Sequence, residues 1–173
     1  RQEHERIGFS NNFTIYDAAD SKSLVKTIIK EMELDDKTYK PGTVLGIISN
    51  AKNQLVTAEQ YAANPAHAQN DARHNMAALG QIFQRYCNRC RQSDAMDFDD
   101  ILLYTFLLFE QHPDVLAKWE QRFRYVLVDE YQATIYAQHR IVWQLTRQHR
   151  HVCVVGDDAQ SIYSFRGANI DNI

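Results

Sequence analysis

Two adjacent carboxylates close an apolar run in "VLVDEYQ", residues 126–132. As neighbours, Asp129 and Glu130 repel one another, so their pairing here needs a chemical reason. One carboxylate can hold a hydrated Mg²⁺ while the other orients or deprotonates a water, the division of labour that phosphoryl transfer to water requires. Many ordinary strands also end in acids that merely begin a loop, so the pair alone is a weak signal. A second stretch, "VVGDDAQSIYSFRGAN", strengthens it. There Gly156 permits a tight turn into Asp157 and Asp158, and Gln160 can donate to a phosphate oxygen. Tyr163 and Phe165 are aromatics in a polar turn, followed by Arg166. Aromatics beside an arginine suit stacking on unpaired bases. Packing of one of the two rings under a sheet is the competing reading.

These residues need elements to hold them. "YVLVDE" and "HVCVVGD" are short β-branched runs separated by a helical pattern over 136–147, with Ala137, Ile141, Val142 and Leu145 on one face. Strand, helix, strand predicts a βαβ unit with parallel, doubly covered strands. Ligands of open parallel sheets bind at the carboxyl ends of the strands, where both acid groups fall.

The residues before about 120 read as mostly helical. "FTIYD" is a short extended piece, and Asp20 or Ser21 can cap a helix carrying Leu24, Val25, Ile28, Ile29 and Met32. Pro41-Gly42 reads as a turn. Val44, Ile48, Ala51 and Leu55 share helical spacing, and Thr57 with Gln60 has the capping-box form of a short helix that Asn64-Pro65 ends. Residues 67–91 read as one long helix with a stripe of Ala72, Met76, Leu79, Phe83, Tyr86 and Cys90. Asp97 is a good N-cap for the next helix, which carries Phe98, Ile101, Leu102, Thr105, Leu108 and Phe109 and reads as buried. His112-Pro113 stops it, and Asp114 can cap a helix holding Leu116 and Trp119.

Composition bounds the class. The 173 residues are 45% hydrophobic and 24% charged, with a net charge of -3, which is ordinary globular composition and argues against a broadly basic nucleic-acid coat. It leaves room for a local basic groove. No apolar run approaches the ~20 residues of a membrane span. "RQEHERIGF" lacks a signal-peptide core, and three cysteines fit a reducing compartment, so a cytoplasmic setting is expected. The first residue is not Met, which points to a piece of something longer. Cys87-x-x-Cys90 lacks a second pair at zinc-site spacing and reads as a buried structural pair. "DFDD" reads as helix capping before metal binding. His149 and His151 read as a polar loop, and Arg85, Arg89 and Arg91 as a solvated basic edge.

"VLVDEYQ" and "VVGDDAQSIYSFRGA" resemble motifs II and III of superfamily 1 DNA helicases of the UvrD/PcrA/Rep type. "NFTIYD", "YKPGTVLGIISNAKNQL" and "AMDFDDILL" resemble segments of that family in its order, so the resemblance covers essentially the whole chain. It implies an α/β protein: a helical 1B-like subdomain over residues 1–95, then part of a parallel-sheet P-loop NTPase (RecA-like) 1A core over 96–173. It also implies ATP and Mg²⁺ as cofactors, single-stranded and duplex DNA as partners, and a DNA repair setting. Residue by residue, Asp129 resembles the Mg²⁺-coordinating acid, Glu130 the general base beside the metal, and Gln160 the γ-phosphate sensor. Tyr163 and Phe165 stand where the family places aromatics near single-stranded DNA. Arg166 matches the motif and can serve DNA or the core.

Two features depart from the family pattern. Ala133 and Ile135 stand where an acid and a small polar residue are usual, which touches coupling between motifs. No G-x-x-x-x-G-K-[ST] loop occurs, so the phosphate cradle and the arginines of a second motor domain are expected elsewhere in a longer chain. The piece alone is then expected to be inactive. The competing readings are a non-catalytic DNA- or protein-binding module and the helicase part of a RecB-like nuclease complex.

Overall fold

The computed structural model describes residues 1–157. The chain divides into two compact units, Arg1–Lys52 with Val56–Ile101, and Asn53–Leu55 with Leu102 onward. Among the described residues, no helix is long and apolar enough to cross a membrane.

The first unit is a helical cluster beside a two-stranded parallel sheet. Its elements are β1 (Thr14–Tyr16), α1 (Ala18–Glu31), α2 (Pro41–Asn53), α3 (Ala58–Ala63), α4 (Pro65–Arg73), α5 (Leu79–Gln92), β2 (Ala95–Asp97) and the start of α6 (Phe98–Gln111). β1 pairs with β2 in the register Thr14↔Ala95, Ile15↔Met96, Tyr16↔Asp97. The core joins Val25, Ile28 and Ile29 of α1, Val44 and Ile48 of α2, Tyr61 of α3, and Leu79, Ile82, Phe83, Tyr86 and Cys90 of α5. The apolar stripes expected for α1 and α5 are therefore the buried faces.

Four local readings are corrected. Asp17, not Asp20 or Ser21, caps α1, because Asp17 and Asp20 exchange side-chain-to-backbone hydrogen bonds in a capping box. Pro41 opens α2 rather than turning the chain, as its fixed φ and missing N–H suit a first helical position. That helix ends at Asn53, and Leu55 lies beyond it at φ 61. The long helix of residues 67–91 is two helices. Asn75 takes a left-handed φ of 58, and Met76 N–H donates to Asp71 C=O at 2.8 Å, which closes α4 in a Schellman turn. Ala72 is consequently exposed, and Met76 packs against the core only in part.

Lys52 is wholly buried, one helical turn after Ile48 on the same face of α2. Its Nζ lies 2.7 Å from both Asp97 Oδ2 and Asp100 Oδ1, and Tyr86 Oη donates to Asp97 Oδ2 at 2.7 Å. Asp97 and Asp100 also form the reciprocal cap of α6, with Asp100 N–H to Asp97 Oδ1 at 2.7 Å and Asp97 N–H to Asp100 Oδ2 at 3.1 Å. The expected Asp97 cap is thus present and carries a buried ammonium as well. Burial alone would lower the Lys52 pKa, but the two carboxylates outweigh it and hold the ammonium above its ordinary value. Burial opposes ionisation of Asp97, yet Lys52 and the hydrogen bonds keep it below the usual carboxylate value. Burial, with the Asp97 charge adding, pushes Asp100 up to about 6 despite Lys52. Cys90 is buried on the core face of α5 and Cys87 half-buried beside it, and burial pushes both thiols up to about 12.

The second unit holds the rest of α6, then α7 (Pro113–Arg122), β3 (Val126–Val128), a 3-10 turn (Tyr131–Ala133), α8 (Tyr136–Thr146) and β4 (Val152–Val154). His112 is the N-cap of α7 and Pro113 its first residue, so Asp114 sits in the first turn rather than at the cap. Leu103, Leu108 and Phe109 of α6 are buried, but Phe98 is 62% exposed, so that helix is buried along a stripe and not all round. β3 and β4 pair in parallel, Val126↔Val152 through Val128↔Val154, as the βαβ reading requires. Among the described residues one face of β3 is open: Leu127 is 78% exposed between two half-buried valines, the alternation of a strand covered on one side.

Candidate active site at the strand ends

β3 ends at Val128, and the chain turns at once. Asp129 and Glu130 follow as exposed residues at the carboxyl end of the parallel pair. The turn depends on Glu130, which takes a left-handed φ of 50. Its N–H donates to Asp129 Oδ1 at 2.9 Å, so the first acid braces the backbone of the second. The 3-10 turn that follows is closed by Ala133 N–H to Glu130 C=O at 2.8 Å and by Thr134 Oγ1 to Tyr131 C=O at 2.7 Å.

The end of β4 is stitched to this turn. Val155 N–H donates to Val128 C=O at 2.8 Å, and Tyr131 N–H to Val155 C=O at 2.9 Å. Gln132, 2% exposed, joins the two acidic ends through its amide. Its Nε2 donates to Glu130 Oε2, and its Oε1 accepts from Asp157 N–H at 3.1 Å. This contact leaves little room for a side chain at Gly156. A Cβ there would lie 2.8 Å from Gln132 Oε1 and 3.3 Å from Gln132 N. The structure shows no tight turn at Gly156; what favours glycine there is the close approach of the Gln132 side chain and backbone.

Tyr131 is buried below the acids, with its hydroxyl against His139 Nδ1 of α8, and desolvation raises its pKa. The two departures in the motif sit beside it. Ala133 closes the 3-10 turn, and Ile135 is the N-cap of α8. An isoleucine side chain accepts no hydrogen bond, so only half a capping box forms, Gln138 Oε1 accepting from Ile135 N–H at 3.0 Å.

Asp129, Glu130, Gly156 and Asp157 are thus brought to one edge. Asp158, Gln160, Tyr163, Phe165 and Arg166 lie outside the described residues. The sequence reading missed Gln132 as a bridge. Its only sequence signal is its place directly after the acid pair, since the contact depends on Gly156 approaching from a separate strand. Among the described residues, no group of three or more His, Cys, Asp or Glu is placed to hold a metal ion. One or two carboxylates at a strand end fit the case of Mg²⁺, which is normally shared with waters and substrate phosphates and not caged by protein alone.

The family model for the UvrD/REP helicase N-terminal domain matches residues 1–173. The chain is 40% identical over 173 residues to the ATP-dependent DNA helicase PcrA of Leuconostoc citreum, covering 100% of this chain and 22% of that protein. It is 40% identical over 174 residues to the ATP-dependent DNA helicase PcrA of Staphylococcus aureus, covering 100% of this chain and 23% of that protein. A similar match, 40% over 175 residues, is to the PcrA helicase of Staphylococcus epidermidis. The chain therefore spans under a quarter of the length of these relatives. With a parallel strand pair that ends in paired acids, and a family match running from the first residue to the last, the chain belongs to the UvrD/REP helicase N-terminal domain family.

Proposed function

We propose that the chain is part of an ATP-dependent DNA helicase that couples ATP hydrolysis to movement along single-stranded DNA and to duplex unwinding. The observation that carries this reading is the acid edge: an apolar parallel strand running into Asp129-Glu130, locked through Gln132 to the Gly156-Asp157 end of its neighbour. The family and the named activity of the relatives support it. In this reading residues 1–95 form a 1B-like subdomain and 96–173 part of a RecA-like 1A core. A phosphate-binding loop and a second motor domain belong to the rest of a longer protein, and the setting is cytoplasmic.

Each acid has a defined task. Asp129 is the carboxylate that would hold Mg²⁺, with Oδ1 already accepting from the Glu130 N–H. When bound, Mg²⁺ neutralises phosphate charge. Glu130 is the general base. Gln132 engages Oε2, which orients the carboxylate and assigns Oε1 to take the proton of the attacking water. Gln160 contacts the terminal phosphate, and Tyr163, Phe165 and Arg166 contact the DNA strand.

Glu130→Gln in the full-length protein tests the assignment. Glutamine keeps the shape and removes the base, so ATP binding is expected to persist while DNA-stimulated turnover falls by on the order of a hundredfold or more. Turnover within a few-fold of the parent would mean that another group activates the water.

A further inference from the structure

Glu130 is held in a backbone conformation that side chains rarely adopt. Its φ of 50 is left-handed, and a residue in that region persists only where its surroundings over-determine it. On one side the support is Asp129, whose Oδ1 accepts the Glu130 N–H at 2.9 Å. On the other side it is Tyr131, whose polar groups are all engaged.

The Tyr131 N–H donates to Val155 C=O at 2.9 Å, which ties the turn to the end of β4. Its C=O accepts twice from Thr134, from the N–H at 3.0 Å and from Oγ1 at 2.7 Å. Its hydroxyl meets Nδ1 of His139, near the start of α8. Tyr131 is 6% exposed, and its ring centroid lies 6.1 Å from that of His139 with the planes 57° apart.

These anchors differ in kind. Val155 contributes a main-chain group, and Thr134 belongs to the turn itself. His139 is a side chain on a separate helix, so it fixes the turn to α8. A phenol keeps its proton at neutral pH, so the hydroxyl donates and Nδ1 of the neutral imidazole accepts. Removing Nδ1 takes the partner from a buried hydroxyl, and Tyr131 must shift to pair it again. Any such shift acts on the next residue back, where the left-handed Glu130 can relax and carry its carboxylate away from Gln132.

We infer that His139 is a positioning residue for the acid pair: through the Tyr131 hydroxyl it holds the Glu130 backbone in the geometry that presents its carboxylate to Gln132 and to the attacking water. It acts through Tyr131 and not on the substrate. The inference rests on the reading of Glu130 as the general base. Small misplacements of a reacting group cost rate steeply, about a hundredfold for 1 Å, so a distant brace can matter for turnover.

The test uses the full-length protein and DNA-stimulated ATP hydrolysis. His139→Leu removes the acceptor at similar volume. Tyr131→Phe removes only the hydroxyl and keeps the buried ring, so it folds even where His139→Leu does not. Each is expected to lower kcat about tenfold while KM for ATP stays within about twofold. The double variant should lose no more than either single change, because both cut the same contact. His139→Asn, whose Oδ1 can stand in for Nδ1, should bring kcat back to within about threefold of the parent. In a Glu130→Gln background, His139→Leu should alter the residual turnover by less than about twofold, since the group it positions is already gone. A merely structural contact would instead lower the thermal midpoint and the fraction of active sites with kcat per active site at the parental value, and that result overturns the inference. The two failures read apart. Parental turnover in Glu130→Gln overturns the base assignment and this inference with it. An inactive Glu130→Gln beside parental kcat in both His139→Leu and Tyr131→Phe overturns the positioning role alone.

Discussion

Replacing Lys52 by Met probes the buried charge network of the first unit. The ammonium sits 2.7 Å from each of two carboxylates, and Asp97 and Asp100 are only 6% and 3% exposed. Reciprocal capping bonds fix both acids at the start of α6, so neither can swing out to water without uncapping the helix. Removing one partner of such a pair costs about 3–5 kcal/mol, because the charge left behind is buried and uncompensated. Against a total stability of roughly 5–15 kcal/mol that is a large fraction. The pH dependence has a definite sign. Asp100 is already pushed up to about 6, and without Lys52 both acids rise further. An acid whose folded pKa is raised binds more protons folded than unfolded, so stability grows as pH falls through the folded value toward the unfolded one. The variant is expected to regain stability between about pH 8 and pH 5. In the parent, Asp100 gives the same trend more weakly, while Asp97, held low, withdraws stability only as pH falls through its depressed value. Amide hydrogen exchange in the full-length protein reads the effect locally. After correction for intrinsic rates, amides of α2, α5 and the first turns of α6 should exchange roughly a hundredfold to several thousandfold faster at neutral pH, at about 1.4 kcal/mol per tenfold. The triple change Lys52→Met, Asp97→Asn, Asp100→Asn should recover most of that, since Asn still caps. Unchanged protection, or a loss that does not shrink on acidification, would refute the network's assigned role.

Gly156→Ala is expected to displace Gln132, costing about 1–3 kcal/mol locally, and to lower ATPase turnover; a crystal structure of the variant with Gln132 unmoved and normal turnover counts against the bridge. Phe165→Ala should weaken single-strand binding by roughly 1–3 kcal/mol with the circular dichroism spectrum preserved, read by fluorescence anisotropy; spectral collapse with affinity intact would make Phe165 a packing residue. Asn75→Val should lower stability by about 1–2 kcal/mol while Asn75→Gly stays near neutral, read by thermal melting; equal effects would remove the left-handed position as the cause of the helix break.

What the sequence made legible follows the range of the forces involved. Thr57 with Gln60 and the Asp97 cap are contacts within one turn, and both are present. The β-branched runs at 126–128 and 152–154 announce strands by composition, and they pair in parallel as expected, though not with the burial expected of them. The break at Asn75 was hidden because an apolar stripe continues across it in spacing alone, while a single left-handed residue redirects the chain. β2 was hidden because Ala95–Asp97 is too short to show alternation and becomes a strand only by pairing with β1. Lys52 was hidden because its burial depends on acids far along the chain. At the candidate site the identity of the acids was legible from their place after an apolar run. Their bracing was not, since Gln132 reaches Asp157 only once two separate strands lie side by side.

The β1–β2 pairing joins residues 14–16 to residues 95–97, with α1 to α5 strung between them. The chain leaves one strand and returns to its immediate neighbour, and Thr14 N–H and Ser10 N–H are both anchored on Asp94 at the point of return, each at 2.9 Å. The helical excursion closes on its own core, so its entry and exit are a doorway of fixed width. Entropy makes that doorway slow to form, because a long loop must be ordered before two three-residue strands can meet. The helical core between the strands offsets that cost by holding the two ends of the excursion together. The same geometry ties the excursion to the doorway: Lys52 and Tyr86, both inside it, bind Asp97 at the end of β2, so the insert locks the exit through which the chain leaves it.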